Sequence, residues 1–254
     1  MKLRELFEKV NIAKDSTIVR DDLIMIMNAL NVHSGVTENC FVTCVVEAIK
    51  IMTGVEVDTY NLDRTAKQHA TIQQRRYDQV HPDDVVKSVK HIRGKDSERY
   101  HKIKLSYKMV TSLDEMKSYI KKGIPVIASM VWNDLLKLQY LVIDDHGDDF
   151  DDEKLRNNLG ASSSFIKNLK HQRIIKYPTD DMIKYCDVGN IGRHAVNCVG
   201  YDAQTKTFIC RDHSVQKHNG FFKVEESIFF DKKLESKKLS MVDAALIVEV
   251  EDIK

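Results

Sequence analysis

The sequence predicts an α+β fold, and three observations carry that prediction. Helical patterns fill the first part of the chain, four strand-like runs fill the last third, and no linker or internal repeat divides them. The chain has 254 residues with only three prolines and ten glycines, enough length to bury a sizeable core. We read one domain over residues 1–254, with helices first and strands later.

The elements follow in order. MKLRELFEKVNIAKDS sets Leu3, Leu6, Phe7 and Val10 at helical spacing and reads as a surface helix. It has neither the continuous apolar core nor the small-residue cleavage site of a secretory signal. RDDLIMIMNAL (20–30) is apolar and helical, and the turn-rich NVHSGVTEN follows it. CFVTCVVEAIKIMTG (40–54) is apolar on almost every side, with Thr43, Glu47 and Lys50 forming one narrow polar stripe. That pattern predicts a mostly buried helix with a single polar edge, with Thr37, Glu38 and Asn39 as cap candidates and Gly54 as its stop. PDDVVKSVKHIR (82–93) reads as a surface helix opened by Pro82. SLDEMKSYIKKG (112–123) carries the capping-box pair Ser112 and Glu115, ends at Gly123 and leads into the apolar strand IPVIASMVW (124–132). The acidic DDHGDDFDDEK (144–154) lacks the Asp-x-Asp-x-Asp-Gly order of a calcium loop and reads as a solvated loop. HAVNCVGYD (194–202), TFICRD (207–212), GFFKVEES (220–227) and AALIVEVED (244–252) read as strands.

Lys plus Arg (39) nearly balances Asp plus Glu (38), so no global field points to nucleic acid or an anionic membrane. No apolar run is long enough for a membrane-spanning helix. The cysteines are Cys40, Cys44, Cys186, Cys198 and Cys210; an odd count without dense spacing argues against a secreted disulfide scaffold. With no CxxC or paired Cys/His spacing, we expect no metal site, no cofactor and a reducing compartment such as the cytoplasm. Oligomeric state is not encoded in any pattern we recognise.

Cys40 stands where a polar loop becomes a buried helix. Unpaired N–H groups and the positive dipole end at that position lower a thiol's pKa toward thiolate. His194 opens one strand and Asp212 closes the next, across the turn at 202–206, so an antiparallel hairpin makes them neighbours. Cys40, His194 and Asp212 therefore make a plausible nucleophile, base and orienter. Cys44, one turn further into the helix, reads as core, as do Cys198 and Trp132. Cys186 has no assigned role, and His213 takes the orienting position if the register slips by one residue.

CFVTCVVEAI, SLDEMKSYIKKGIPVIASMVW and GRHAVNCVGYD…FICRDHS…NGFFKV, in that order, resemble the papain family of cysteine peptidases. The resemblance covers roughly residues 30–230 and implies a papain-like two-lobed fold, with a mainly helical lobe at about 20–110, an antiparallel, β-rich lobe at about 111–254 and a groove between them. It implies hydrolysis of peptide or isopeptide bonds in a protein or peptide substrate, with Cys40, His194 and Asp212 as the triad. His194 follows Cys40 by 154 residues, a little beyond the roughly 130–150 of papain-type enzymes. Peptidases that cut double-glycine leader peptides share the clan fold and have Asp where papain has Asn. Their Cys-to-His separation is much shorter, so the papain type is preferred. The family's oxyanion-hole Gln corresponds to Ser34, beside His33, and the Cys40 backbone N–H is the second oxyanion donor. Asp212 stands for the family's Asn, and the Trp that shields that Asn is missing from RDHSV. These departures keep two alternatives in play: a papain-fold protein that binds without cutting, and an acyltransferase using the same triad.

Overall fold

The computed structural model describes residues 9, 25–29, 39–70, 81–89, 91, 103–144, 160–186, 192–213, 217–237 and 241–252. All of the N-terminal helix but Lys9, the cap candidates Thr37 and Glu38, and all but the first residue of the acidic tract lie outside the described residues, as do His33 and Ser34.

Helix α1 (Cys40–Thr53) begins where the Asn39 side chain accepts the Val42 N–H and stops at Gly54, whose φ of 73° is the left-handed cap. Two further helices follow, α2 (Thr59–His69) capped by Asp58, and α3 (Pro82–Val89) with Asp83 and Asp84 in its first turn. Strand β1 (Ile103–Val110) comes next, inside the stretch read as helical. Helix α4 (Leu113–Lys121) is capped by Ser112, which accepts the Glu115 N–H, while Glu115 reaches back to the Thr111 N–H. Strand β2 (Val126–Trp132), helix α5 (Asp134–Asp144), helix α6 (Ser163–Gln172), the short strand β3 (Ile174–Ile175) and helix α7 (Asp180–Tyr185) complete the middle of the chain. The last third is β4 (Gly192–Asp202), β5 (Thr207–Arg211), β6 (Phe221–Glu225), helix α8 (Lys232–Ser236) and β7 (Val242–Asp252).

The strands form one sheet in the order β1-β7-β2-β4-β5-β6-β3, antiparallel except for the β6–β3 pair. The fold is α+β. Strand β1, which ends at Val110, is one edge of this sheet and pairs with β7 along its whole length. Both faces are covered. Ile127, Ala195, Leu246 and Val248 share one buried cluster with Val42, Val45, Val46 and Ile49 of α1. On the opposite face Val126, Ala128, Val196, Ala245 and Ile247 join Met116 and Ile120 of α4 and Leu135 and Leu136 of α5. Each such Val, Leu, Ile or Met side chain contributes about 1.5–3 kcal/mol on burial. A sheet covered on both faces explains why β4 and β5 read as continuous apolar runs rather than alternating ones.

The polar stripe of α1 is the first correction. Thr43 and Glu47 are fully buried, not a solvent edge. Thr43 returns its hydroxyl to the Asn39 carbonyl, and Glu47 faces the β4–β5 hairpin. A charged residue inside an apolar run meant a buried partner on another element, which periodicity alone does not show.

Candidate active site

Three elements converge at one end of the β4–β5 hairpin. Strand β5 stops at Arg211, opposite Asn197 of β4. Nearer the mouth of β4, the Ala195 N–H donates to Cys40 Sγ at 3.3 Å, which fixes the first residue of α1 beside the residue following His194. His194 Nε2 meets Asp212 Oδ2, and the carboxylate is fully buried. A carboxylate only accepts, so the ring's Nε2 carries the hydrogen and Nδ1 keeps its lone pair. The three sequence-predicted residues are thus brought together, and the register places Asp212, not His213, on His194. His213 lies on the other side of the same carboxylate, its Nδ1 3.6 Å from Asp212 Oδ1.

The backbone of Asp212 is held from outside the hairpin. Its N–H donates to the Gly220 carbonyl at 3.0 Å. Gly220 has φ +81°, and a Cβ there would stand 2.3 Å from the Asp212 carbonyl oxygen. Only glycine fits this approach.

Burial sets the charge state. It pushes the Cys40 thiol above its ordinary value; the Ala195 N–H opposes that rise, and the Asp212 charge adds to it. The expected thiolate at a helix N-terminus is therefore corrected: desolvation outweighs the N–H groups of Ala195, Phe41 and Cys40. Burial, with His213 nearby, pulls the His194 imidazole down to about 4, while Asp212 holds its Nε2–H. Both shifts favour the neutral forms of thiol and imidazole. Cys44 is fully buried and its thiol is pushed well up by the same cause, as suits a core residue.

A family model described as the Peptidase_C39 like family matches residues 27–227, a span that contains every residue of this site. The chain belongs to the Peptidase_C39 like family. This membership agrees with the resemblance to cysteine peptidases seen in the sequence, as a divergent member. The crystal structure of xylellain, a cysteine protease from Xylella fastidiosa, is similar at 14% identity over 83% of this chain and 78% of that chain, with a TM-score of 0.42. No curated protein sequence matches.

In this Peptidase_C39 like protein the sequence does not announce the residues around Cys40, His194 and Asp212. Tyr140 of α5 sets its ring edge-on to His194 at 5.9 Å and to Phe222 at 5.6 Å, so an aromatic from a distant helix covers the imidazole. No local motif announces it, because α5 itself was not read as a helix. Glu47 accepts from Arg211 Nη1 at 2.6 Å and from Asn197 Nδ2 at 3.0 Å, linking α1 to both strands of the hairpin. The signal for that network was present as one carboxylate in an apolar helix, one amide in an apolar strand and an arginine beside Asp212. Among the described residues no cluster of three or more His, Cys, Asp or Glu is arranged to hold a metal ion, and no helix is long and apolar enough to cross a membrane.

Proposed function

We propose that this protein is a cysteine peptidase that hydrolyses peptide or isopeptide bonds, with Cys40 as nucleophile, His194 as general acid–base and Asp212 as orienter. The observation that carries the reading is the His194–Asp212 pair beside a thiol held by the very next backbone N–H. Because the resting pair is neutral, the thiol proton moves to His194 Nδ1 as Sγ attacks the carbonyl carbon, not beforehand. The charge passes to the carbonyl oxygen, toward which the Cys40 N–H donates. The imidazolium, its Nε2–H kept on Asp212, returns the proton to the leaving nitrogen as the C–N bond breaks and a thioester remains. Water then loses a proton to Nδ1 and attacks the thioester carbon. The C–S bond breaks, the acid leaves, and the proton returns to Cys40. A protein or peptide is the substrate.

A vinyl-sulfone thiol probe followed by peptide mapping tests this reading. The expected result is a label on Cys40 near neutral pH that is lost in Cys40→Ala and strongly slowed in His194→Ala. Labelling that survives His194→Ala unchanged would sink the peptidase reading. Digestion of a peptide library with and without added amines separates cleavage from acyl transfer, since a transferase yields ligated products.

A further inference from the structure

We infer that Glu47, Asn197 and Arg211 form a positioning clamp that fixes the register of the Cys40 helix on the hairpin carrying His194 and Asp212. The inference rests on the peptidase reading of those three residues. Glu47 lies two helical turns beyond Cys40, on the same face of α1. Its two carboxylate oxygens go to different strands, Oε1 to Arg211 of β5 and Oε2 to Asn197 of β4. Those two residues sit directly opposite one another in the hairpin. The Asn197 amide also donates to the Cys44 carbonyl at 3.1 Å, so the helix is gripped by backbone as well as side chain. Arg211 immediately precedes Asp212, and Asn197 lies on β4 with His194 and Ala195.

Stability alone does not account for this arrangement. Taking a carboxylate and a guanidinium out of water costs several kcal/mol each, and apolar residues of similar size often hold a core as well or better. Around the clamp, Val42, Val45, Val46 and Ile49 of the helix share an apolar cluster with Ala195 and Ile127 of the sheet. Apolar contact is non-directional and leaves a helix free to slide along a sheet. Hydrogen bonds to two strands forbid that slide, and the 3.3 Å contact between Ala195 N–H and Cys40 Sγ depends on it.

The test is the rate of Cys40 alkylation by iodoacetamide, followed by peptide mapping across pH, in three proteins: wild type, His194→Ala, and the double variant Glu47→Met/Arg211→Met. The double variant removes both charges together, so no ion is left buried without its partner. The expected result is a cooperative melt within a few degrees of wild type, with Cys40 alkylation slowed about 10- to 100-fold and its pH profile displaced. A folded double variant with the wild-type rate and profile overturns the clamp. If neither this variant nor Glu47→Gln melts cooperatively, the network is a folding requirement and the positioning claim falls. If His194→Ala leaves the wild-type rate unchanged, it is the peptidase reading that fails. A slowed His194→Ala beside an unaffected double variant isolates the failure to the clamp.

Discussion

Replacing Gly220 by alanine should damage activity out of proportion to the size of a methyl group. A Cβ there would stand 2.3 Å from the Asp212 carbonyl oxygen and 3.2 Å from its carbon, both backbone atoms that cannot rotate away. Reaching even the 3.0 Å that real Cβ atoms respect requires a displacement of about 0.7 Å. The shift falls on the residue whose carboxylate holds His194 Nε2. It also breaks or bends the bond from the Asp212 N–H to the Gly220 carbonyl. A left-handed alanine adds about 1–3 kcal/mol of backbone strain. A misplacement of about 1 Å at a catalytic group costs on the order of 100-fold in rate, so a loss of about 10- to 100-fold in kcat/KM is expected, with KM little changed. The assay is cleavage of a fluorogenic peptide found by library digestion, alongside thermal unfolding to show that the variant is folded at the assay temperature. A folded Gly220→Ala protein with wild-type kcat/KM would refute the argument that Gly220 sets the position of Asp212.

Three other outcomes follow from the same site. His194 and His213 are both pulled to about 4 mainly by burial, whereas an unfolded histidine titrates near 6.5. Between those values the unfolded chain binds more protons than the folded one, so stability falls as pH drops from about 6.5 to 4. Urea midpoints across that range should show a shallower fall in His213→Gln, and equal slopes would contradict it. Asp212→Asn keeps an acceptor for His194 Nε2–H but removes the negative charge that raises the Cys40 thiol, so the alkylation profile of Cys40 should move to lower pH. An unmoved profile would show that this charge does not act on the thiol. Tyr140→Ala should cost about 3–5 kcal/mol as a large aromatic lost from the core, and should raise the His194 pKa by admitting water, read by NMR titration of the ring. Tyr140→Phe should leave that titration in place.

Much of this fold was legible because its signals are local. The capping pair Ser112 and Glu115, the Gly54 stop and the apolar runs of β4, β5, β6 and β7 each come from a few adjacent residues, and each element forms close to where those residues put it. Strand β1 was not legible, because IKLSYKMV is an edge strand with a mixed burial pattern and becomes a strand through its pairing with β7 more than a hundred residues later. Helix α5 did carry a local start signal, Asn133, whose side chain accepts the Leu136 N–H, followed by Asp134, but it lies directly after a strand and goes unread beside that apolar run. At the site, the hairpin argument placed His194 beside Asp212 from antiparallel geometry alone. The groups packed around the candidate site, Tyr140, Glu47 and Gly220, act across long sequence separations, and only the assembled fold brings them to it.

The charge state of Cys40 shows why a motif is not yet a mechanism. A helix N-terminus contributes about 0.3–1 kcal/mol to a charge at its first turn, and up to about 2 kcal/mol in favourable buried geometry. Burying an ionisable group shifts its pKa by as much as several units in the opposite direction, and Cys40 is largely covered and faces the Asp212 carboxylate as well. Burial therefore wins, and the thiol rests protonated. The same burial lowers His194 and keeps its Nδ1 unprotonated at neutral pH, available as a base. The two shifts are complementary. On the proposed mechanism, a thiol pushed up and an imidazole pulled down both rest neutral, and proton transfer awaits an electrophile that draws the electrons of sulfur forward. On this argument reactivity at Cys40 depends on His194 far more than on the helix dipole. Moving the Asn39 cap to alanine should therefore weaken α1 by about 1 kcal/mol while leaving the His194 dependence of Cys40 labelling intact.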